Sequence, residues 1–306
     1  MTEVLTKKLL TDENWVWGLL PQDPGDLRNA LKLLLELEKN YSDIIDVLEV
    51  RTWIAMAYFN LSEAELSREY HEKARKELLC ASDSRKEAVD ILLIDMQLAS
   101  IYLHFGENDL AMQRCEEGHE FFDLYRDEEG GISRTLFCYF HGLVLEELGE
   151  FQSAIPIYEV GLKQASKIKD DSQKLRWISL LNYSIGNAHG MCSHLKRGLR
   201  FLLKVKSEDL LKVESERFIV SLLTFYYELD RFHELLKAYE KYSGQLVETP
   251  HKGRLFHLLG VAYYQTDSLD KARKFLNMSV DENPTEQFVI AGNKRFLEAL
   301  EENENQ

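Results

Sequence analysis

The sequence is sparing with the residues and runs that announce most specialised chemistries. It has four cysteines, at 80, 115, 138 and 192. No two are spaced like a structural zinc site or a disulfide framework, so reduced thiols buried or half-buried in helices are expected. No window approaches the roughly 20 consecutive apolar residues that a membrane helix needs. The opening MTEVLTKKLLTDENW is too polar for a secretory signal peptide. These two absences point to a cytoplasmic protein with no membrane partner. Also missing are a glycine-rich phosphate loop, a nucleophile elbow and a paired-carboxylate motif in a convincing context. The chain is therefore expected not to be an enzyme, with no catalytic residues, cofactor or metal. The nearest thing to a metal cluster, His189-Gly-Met-Cys192-Ser-His194, reads instead as packing, because His189 falls at a repeat position that faces the neighbouring helix. Basic charge is short as well. Against 52 Asp and Glu there are 37 Lys and Arg, a net charge of −15, and that balance disfavours nucleic acid as the main partner.

What is present is a repeat. Gly142 lies three residues before Leu145, seven before Gly149, nine before Phe151, twelve before Ala154 and sixteen before Tyr158. That spacing is the tetratricopeptide (TPR) pattern of two antiparallel helices. Gly142 and Ala154 sit where the two helices cross, Gly149 ends the first helix, and Phe151 and Tyr158 fill the seam. Equivalents of Gly142 stand at Ala55, Ala99, Gly186, Leu223 and Gly260, at intervals of 44, 43, 44, 37 and 37 residues. The companions twelve residues on are Ser67, Ala111, Ala154, Gly198, Leu235 and Ala272. The expectation is an all-α fold, a right-handed TPR superhelix of about six long repeats. Since a repeat array grows by stacking, its length does not count domains. Residues 1–47 read as an N-terminal helical extension whose Trp15, Val16, Trp17, Leu19 and Leu20 cap the first repeat. Residues 48–284 read as the array, and 285–306 as a closing helix and acidic tail.

Long repeats, little proline, and stretches such as Leu180-Leu-Asn-Tyr-Ser-Ile-Gly186 and Glu150-Phe-Gln-Ser-Ala-Ile-Pro-Ile-Tyr158 resemble the peptide-binding TPR domains of the Rap, NprR and PlcR receptors (the RRNPP group) of Gram-positive bacteria and their phages. The resemblance implies a quorum-sensing regulatory receptor that binds a short peptide in its concave groove and changes the pitch of its superhelix. Two departures follow. DNA-binding members carry a helix-turn-helix domain, whereas fewer than 50 residues precede the first repeat here, so none is expected. Rap phosphatases act on response regulators through a glutamine that matches no position here, and Gln22 is the only glutamine in the first 96 residues. A Rap-like aspartate phosphatase is thus the alternative function, together with a general TPR scaffold or adaptor for a protein partner.

The first helix of each repeat lines the groove. Counted from the Gly142 position, the groove-facing residues lie six and three before it and one, four and five after it. Repeat four places Tyr183 and Asn187 there, with Arg176 one turn back; repeat five places Arg217, Thr224 and Tyr227; repeat six places Arg254, His257 and Tyr264. Three arginines interleaved with aromatic and amide side chains can pair with a carboxylate and hydrogen-bond an extended backbone. The expected partner is a short peptide or a protein tail, and a homodimer is left open. The earlier repeats are mixed to acidic, with Thr52, Met96, Ser100, His104, Tyr139, Glu146 and Glu147. Residues 163–217 are +6 while the remainder is −21. Lys196, Arg197, Arg200 and Lys204 in that stretch read as a solvated outer face.

Overall fold

The computed structural model describes residues 24–40, 47–80, 86–124, 131–246, 252–282 and 287–304. The tryptophan-bearing segment expected to cap the first repeat, and Gln22, lie outside them. Among the described residues the chain is all-α. Fourteen helices pack pairwise as in a TPR superhelix, and none of them is long and apolar enough to cross a membrane. Tertiary contacts divide the chain into two compact units, Met1–Glu128 and Glu129–Gln306.

The first unit holds α1 (Pro24–Asn40), α2 (Val47–Asn60), α3 (Ala64–Cys80), α4 (Lys86–His104) and α5 (Asn108–Leu124). Helix α1 starts on Pro24, where the missing N–H is an orphan in any case. It buries Leu27, Leu31, Leu34 and Leu37, a stripe of one helical face, against Val50, Ile54 and Ala57 of α2. The pairs α2/α3 and α4/α5 are repeats one and two.

The second unit holds α6 (Ile132–Glu147), α7 (Phe151–Ala165), α8 (Asp171–Met191), α9 (Leu195–Leu202), α10 (Lys212–Glu228), α11 (Phe232–Tyr242), α12 (Lys252–Gln265), α13 (Leu269–Glu282) and α14 (Gln287–Glu304). The pairs from α6/α7 to α12/α13 are repeats three to six. Helix α14 closes the unit and runs to Glu304, into the acidic tail.

One local device recurs in all six repeats. The seventh residue after each marker has a left-handed backbone: Ser62, Gly106, Gly149, Ser193, Asp230 and Asp267, with φ from 54° to 78°. The following N–H then reaches back five residues, as from Glu150 to the carbonyl of Leu145 at 2.8 Å and from Arg231 to that of Tyr226 at 2.8 Å. This Schellman closure satisfies carbonyls that the helix end would otherwise leave bare. It also sets the direction in which the second helix departs.

The small residues sit at the crossings, as their spacing predicts. A Cβ on Gly142 would lie 2.2 Å from Cε1 of Tyr158, so the ring rests directly on the glycine backbone. In repeat one the serine companion adds a bond, Ser67 Oγ donating to the Ala55 carbonyl at 2.9 Å. Repeat five has Leu223 and Leu235 there, both fully buried.

In the second unit each first helix packs on its counterpart in the next repeat, α6 on α8, α8 on α10, α10 on α12 and α12 on α14. No comparable packing joins the second helices among the described residues. The first helices therefore form the inner layer, and α14 takes the place of a seventh first helix.

Candidate functional site

All nine residues singled out for the groove lie in the second unit, on α8, α10 and α12. They differ in how far their polar groups are already committed. Arg176 is held by Glu214 of α10, with Nη2 donating to Oε1 at 3.1 Å, and its guanidinium stands 5.8 Å from the Trp177 ring. The Thr224 hydroxyl donates back to the Val220 carbonyl at 2.9 Å. His257 bonds through Nδ1 to Oδ1 of Asn293 at 2.6 Å. Since that oxygen only accepts, Nδ1 carries the proton. The Tyr264 ring is T-shaped against Phe296 at 5.3 Å. Helix α14 thus covers part of α12, and His257 and Tyr264 take part in seating it. Sequence spacing could not show this, because it places a residue on a face without saying what packs there.

Arg217 and Arg254 are exposed, and neither makes an ion pair among the described residues. Asn187 is half-buried with no side-chain hydrogen bond among the described residues. Tyr183 and Tyr227 offer half-buried rings, held edge-on to Phe218 at 6.3 Å and to Phe232 at 6.1 Å. Tyr227 also meets His257 at 6.0 Å, which links repeats five and six. The phenol of Tyr227 is raised by burial and by the acids Glu228 and Asp230, so it is a neutral hydrogen-bonding group at physiological pH.

The inner layer of repeats three to five carries further residues. Tyr139 stacks edge-on with Trp177 at 5.7 Å and lies 6.3 Å from the ring of Tyr158. Burial raises its phenol, the fields of Glu214 and Glu146 raise it further, and Arg217 opposes them. Glu146 is pushed up to about 7, chiefly by burial. The Tyr158 hydroxyl lies beside the carboxyl and opposes part of that rise, although among the described residues neither it nor Oε1 has a hydrogen bond of good geometry.

Trp177 and Glu214 escaped the spacing argument. Both sit nine residues before their marker, one position from the turn that yielded Arg176. The basic outer residues behave as expected: Lys196, Arg197, Arg200 and Lys204 are exposed. Among the described residues Arg197 has only a loose ion pair with Glu159 at 3.8 Å. His189 is 1% exposed, packed 5.6 Å from Phe201 and 5.9 Å from His194. No set of three metal-ligating side chains comes together among the described residues.

No protein-family model matches the sequence, and no curated protein matches it. Solved structures do. The apo form of RapI aligns with a TM-score of 0.56 at 15% identity, over 84% of this chain and 92% of that one. A Rap protein complexed with competence and sporulation factor aligns with a TM-score of 0.53 at 13% identity, over 98% and 90%. The C-terminal part of a TPR protein from Cytophaga hutchinsonii gives 0.53 at 15% identity, over 89% and 96%. The fold is that of a TPR repeat protein, and it resembles the Rap proteins among others. At these identities the likeness concerns the fold.

Proposed function

We propose that this chain is a non-enzymatic binding module in which the inner face of α8, α10 and α12 holds a short peptide or a protein tail. One observation carries the reading: Arg217 and Arg254 stand exposed and, among the described residues, without ion pairs on successive first helices, beside Asn187 and the half-exposed rings of Tyr183 and Tyr227. Guanidinium groups suit a carboxylate, and an amide can donate to and accept from an extended backbone at once. A Rap protein solved in complex with competence and sporulation factor shares the fold, which supports the reading of a regulatory receptor. Each repeat leans on its neighbours, so a ligand bridging two first helices alters their spacing.

Peptides that co-purify with the protein, identified by mass spectrometry and resynthesised, supply the ligand for calorimetric titration. Arg217→Ala and Arg254→Ala are each expected to weaken binding by about ten- to a hundredfold, the loss of a charge-assisted pair. Asn187→Ala weakens it too. Arg176→Ala has a smaller effect, because Glu214 already occupies that guanidinium. Arg197→Ala and Arg200→Ala change little. A larger loss at Arg197 or Arg200 than at Arg217 and Arg254 would put the ligand on the outer face.

A further inference from the structure

A second surface lies at the rim of the same unit. The segment from Leu203 to Val213 joins α9 to α10 and exposes three large aliphatic side chains within eleven residues: Leu203 at 58%, Leu211 at 54% and Val213 at 60%. Isolated apolar residues on a surface need no explanation, but a cluster does. The cluster is not a frayed loop. Leu202, Val205 and Ser207 are buried, and Leu210 packs on the core. The backbone is pinned by Lys206 N–H to Ser179 Oγ at 3.4 Å and by Leu211 N–H to Glu214 Oε2 at 2.9 Å. Ser179 donates to Asp209 at 3.1 Å, so the segment is tied to the third turn of α8. Exposed Lys204 and Lys206 stand between the aliphatic groups, with Glu208 among them.

We propose that this rim docks an acidic segment of a protein partner that carries aliphatic side chains of its own. Charge complementarity argues for that occupant. Residues 203–213 carry Lys204, Lys206 and Lys212 against Glu208 and Asp209 and lie in a +6 stretch, 163–217, of a chain whose remainder is −21; aliphatic anchors interleaved with lysines match a segment of opposite charge with an apolar stripe. The two acids favour a shaped protein segment, whose charges can avoid them, over the uniform charge of an anionic bilayer. Val213 is one helical turn before Arg217, so the rim meets the inner face there. Docking at the rim does not require the inner face to be filled.

The test uses the whole chain and a fluorescein-labelled synthetic helix of glutamate, leucine and alanine, read by fluorescence anisotropy. One companion peptide has serine in place of leucine, and another has lysine in place of glutamate. The first peptide binds, and both companions bind at least about tenfold more weakly. Leu211→Ser with Val213→Ser, and separately Lys204→Glu with Lys206→Glu, weaken the first peptide by about tenfold or more while leaving the melting temperature within a few degrees. Lys163→Glu with Lys196→Glu, outside the rim, leaves affinity unchanged. The proposal fails if the serine peptide binds equally well, or if both rim variants keep full affinity. It also fails if vesicles of phosphatidylserine and phosphatidylcholine bind the protein and lose it in the same variants, which assigns the rim to a membrane. Self-association abolished by those variants assigns it to a second copy and likewise overturns the proposal.

Discussion

At the scale of single residues, the repeats close on a backbone position rather than on a residue type. Gly106 and Gly149 take the left-handed conformation without strain, whereas Ser62, Ser193, Asp230 and Asp267 hold a Cβ there, at a cost of roughly 1–2 kcal/mol for an ordinary L residue. Ser193→Gly is therefore expected to stabilise by up to about 1 kcal/mol, since the added freedom of the unfolded chain offsets part of the gain. In the same urea series Gly142→Leu, driven into the Tyr158 ring, should lose about 1–3 kcal/mol or more. Equal midpoints for Gly142→Leu and the unmodified protein would contradict that packing.

Glu146 gives a pH test with a definite sign. Its carboxyl is raised to about 7 from 4.5, chiefly by burial, so the folded state holds a proton that the unfolded state releases earlier. Its contribution to stability is complete below about pH 4.5 and declines as the pH rises towards 7. Glu146→Gln should flatten that window and stabilise by on the order of 2 kcal/mol near pH 8. No gain in denaturation midpoint at that pH would mean the carboxylate is better solvated than its burial implies. His71 works in the opposite sense. Buried between Ser67 and Gln97, it is lowered to about 4 by burial, and its contribution is lost as pH falls below about 6.5.

At the scale of elements, ion pairs tie successive helices of the first unit together. Arg51 on α2 bonds Glu38 on α1 at 2.6 Å and reaches Glu77 on α3. Arg75 on α3 bonds Asp95 on α4 and Glu117 on α5, both at 2.5 Å. Asp95 is 1% exposed, so its charge depends on that partner. Arg75→Met should cost about 3–5 kcal/mol, because a buried carboxylate is left alone. Adding Asp95→Leu should recover most of the loss, since an apolar pair of similar volume fills the gap. A double variant no more stable than Arg75→Met would show that shape, not charge, governs the contact. In the second unit the corresponding tie is polar and buried: Asn293 of α14 joins His257 of α12 and, at 2.9 Å, Ser279 of α13.

At the scale of the whole molecule, charge is unevenly shared. Residues 1–128 carry 14 Lys and Arg against 27 Asp and Glu, and residues 129–306 carry 23 against 25. The cationic groups available to a ligand are thus concentrated in the second unit, where the inner-face arginines and the rim lysines stand. The overall excess of −15 still opposes a polyanion. A double-stranded DNA fragment should show no retention at physiological salt in a mobility assay. Tight retention that falls steeply with added salt would reverse that expectation.

The register of six helix pairs was legible in the sequence, because a helix crossing needs a small side chain at a fixed spacing and Gly142 with Ala154 show it plainly. The helix ends were legible only where glycine marks them, as at Gly106 and Gly149, since serine and aspartate in the same backbone state leave no comparable signal. Helical period alone is what assigns Arg217, Arg254, Tyr183 and Tyr227 to one face of their helices. It does not say which of those side chains remain uncommitted. The Arg176 pair with Glu214 spans 38 residues, and the Asn293 contact with His257 spans 36. Such partners meet only through the angle and offset at which one helix packs on the next, and many residues set that geometry jointly, none of them readable from a single spacing.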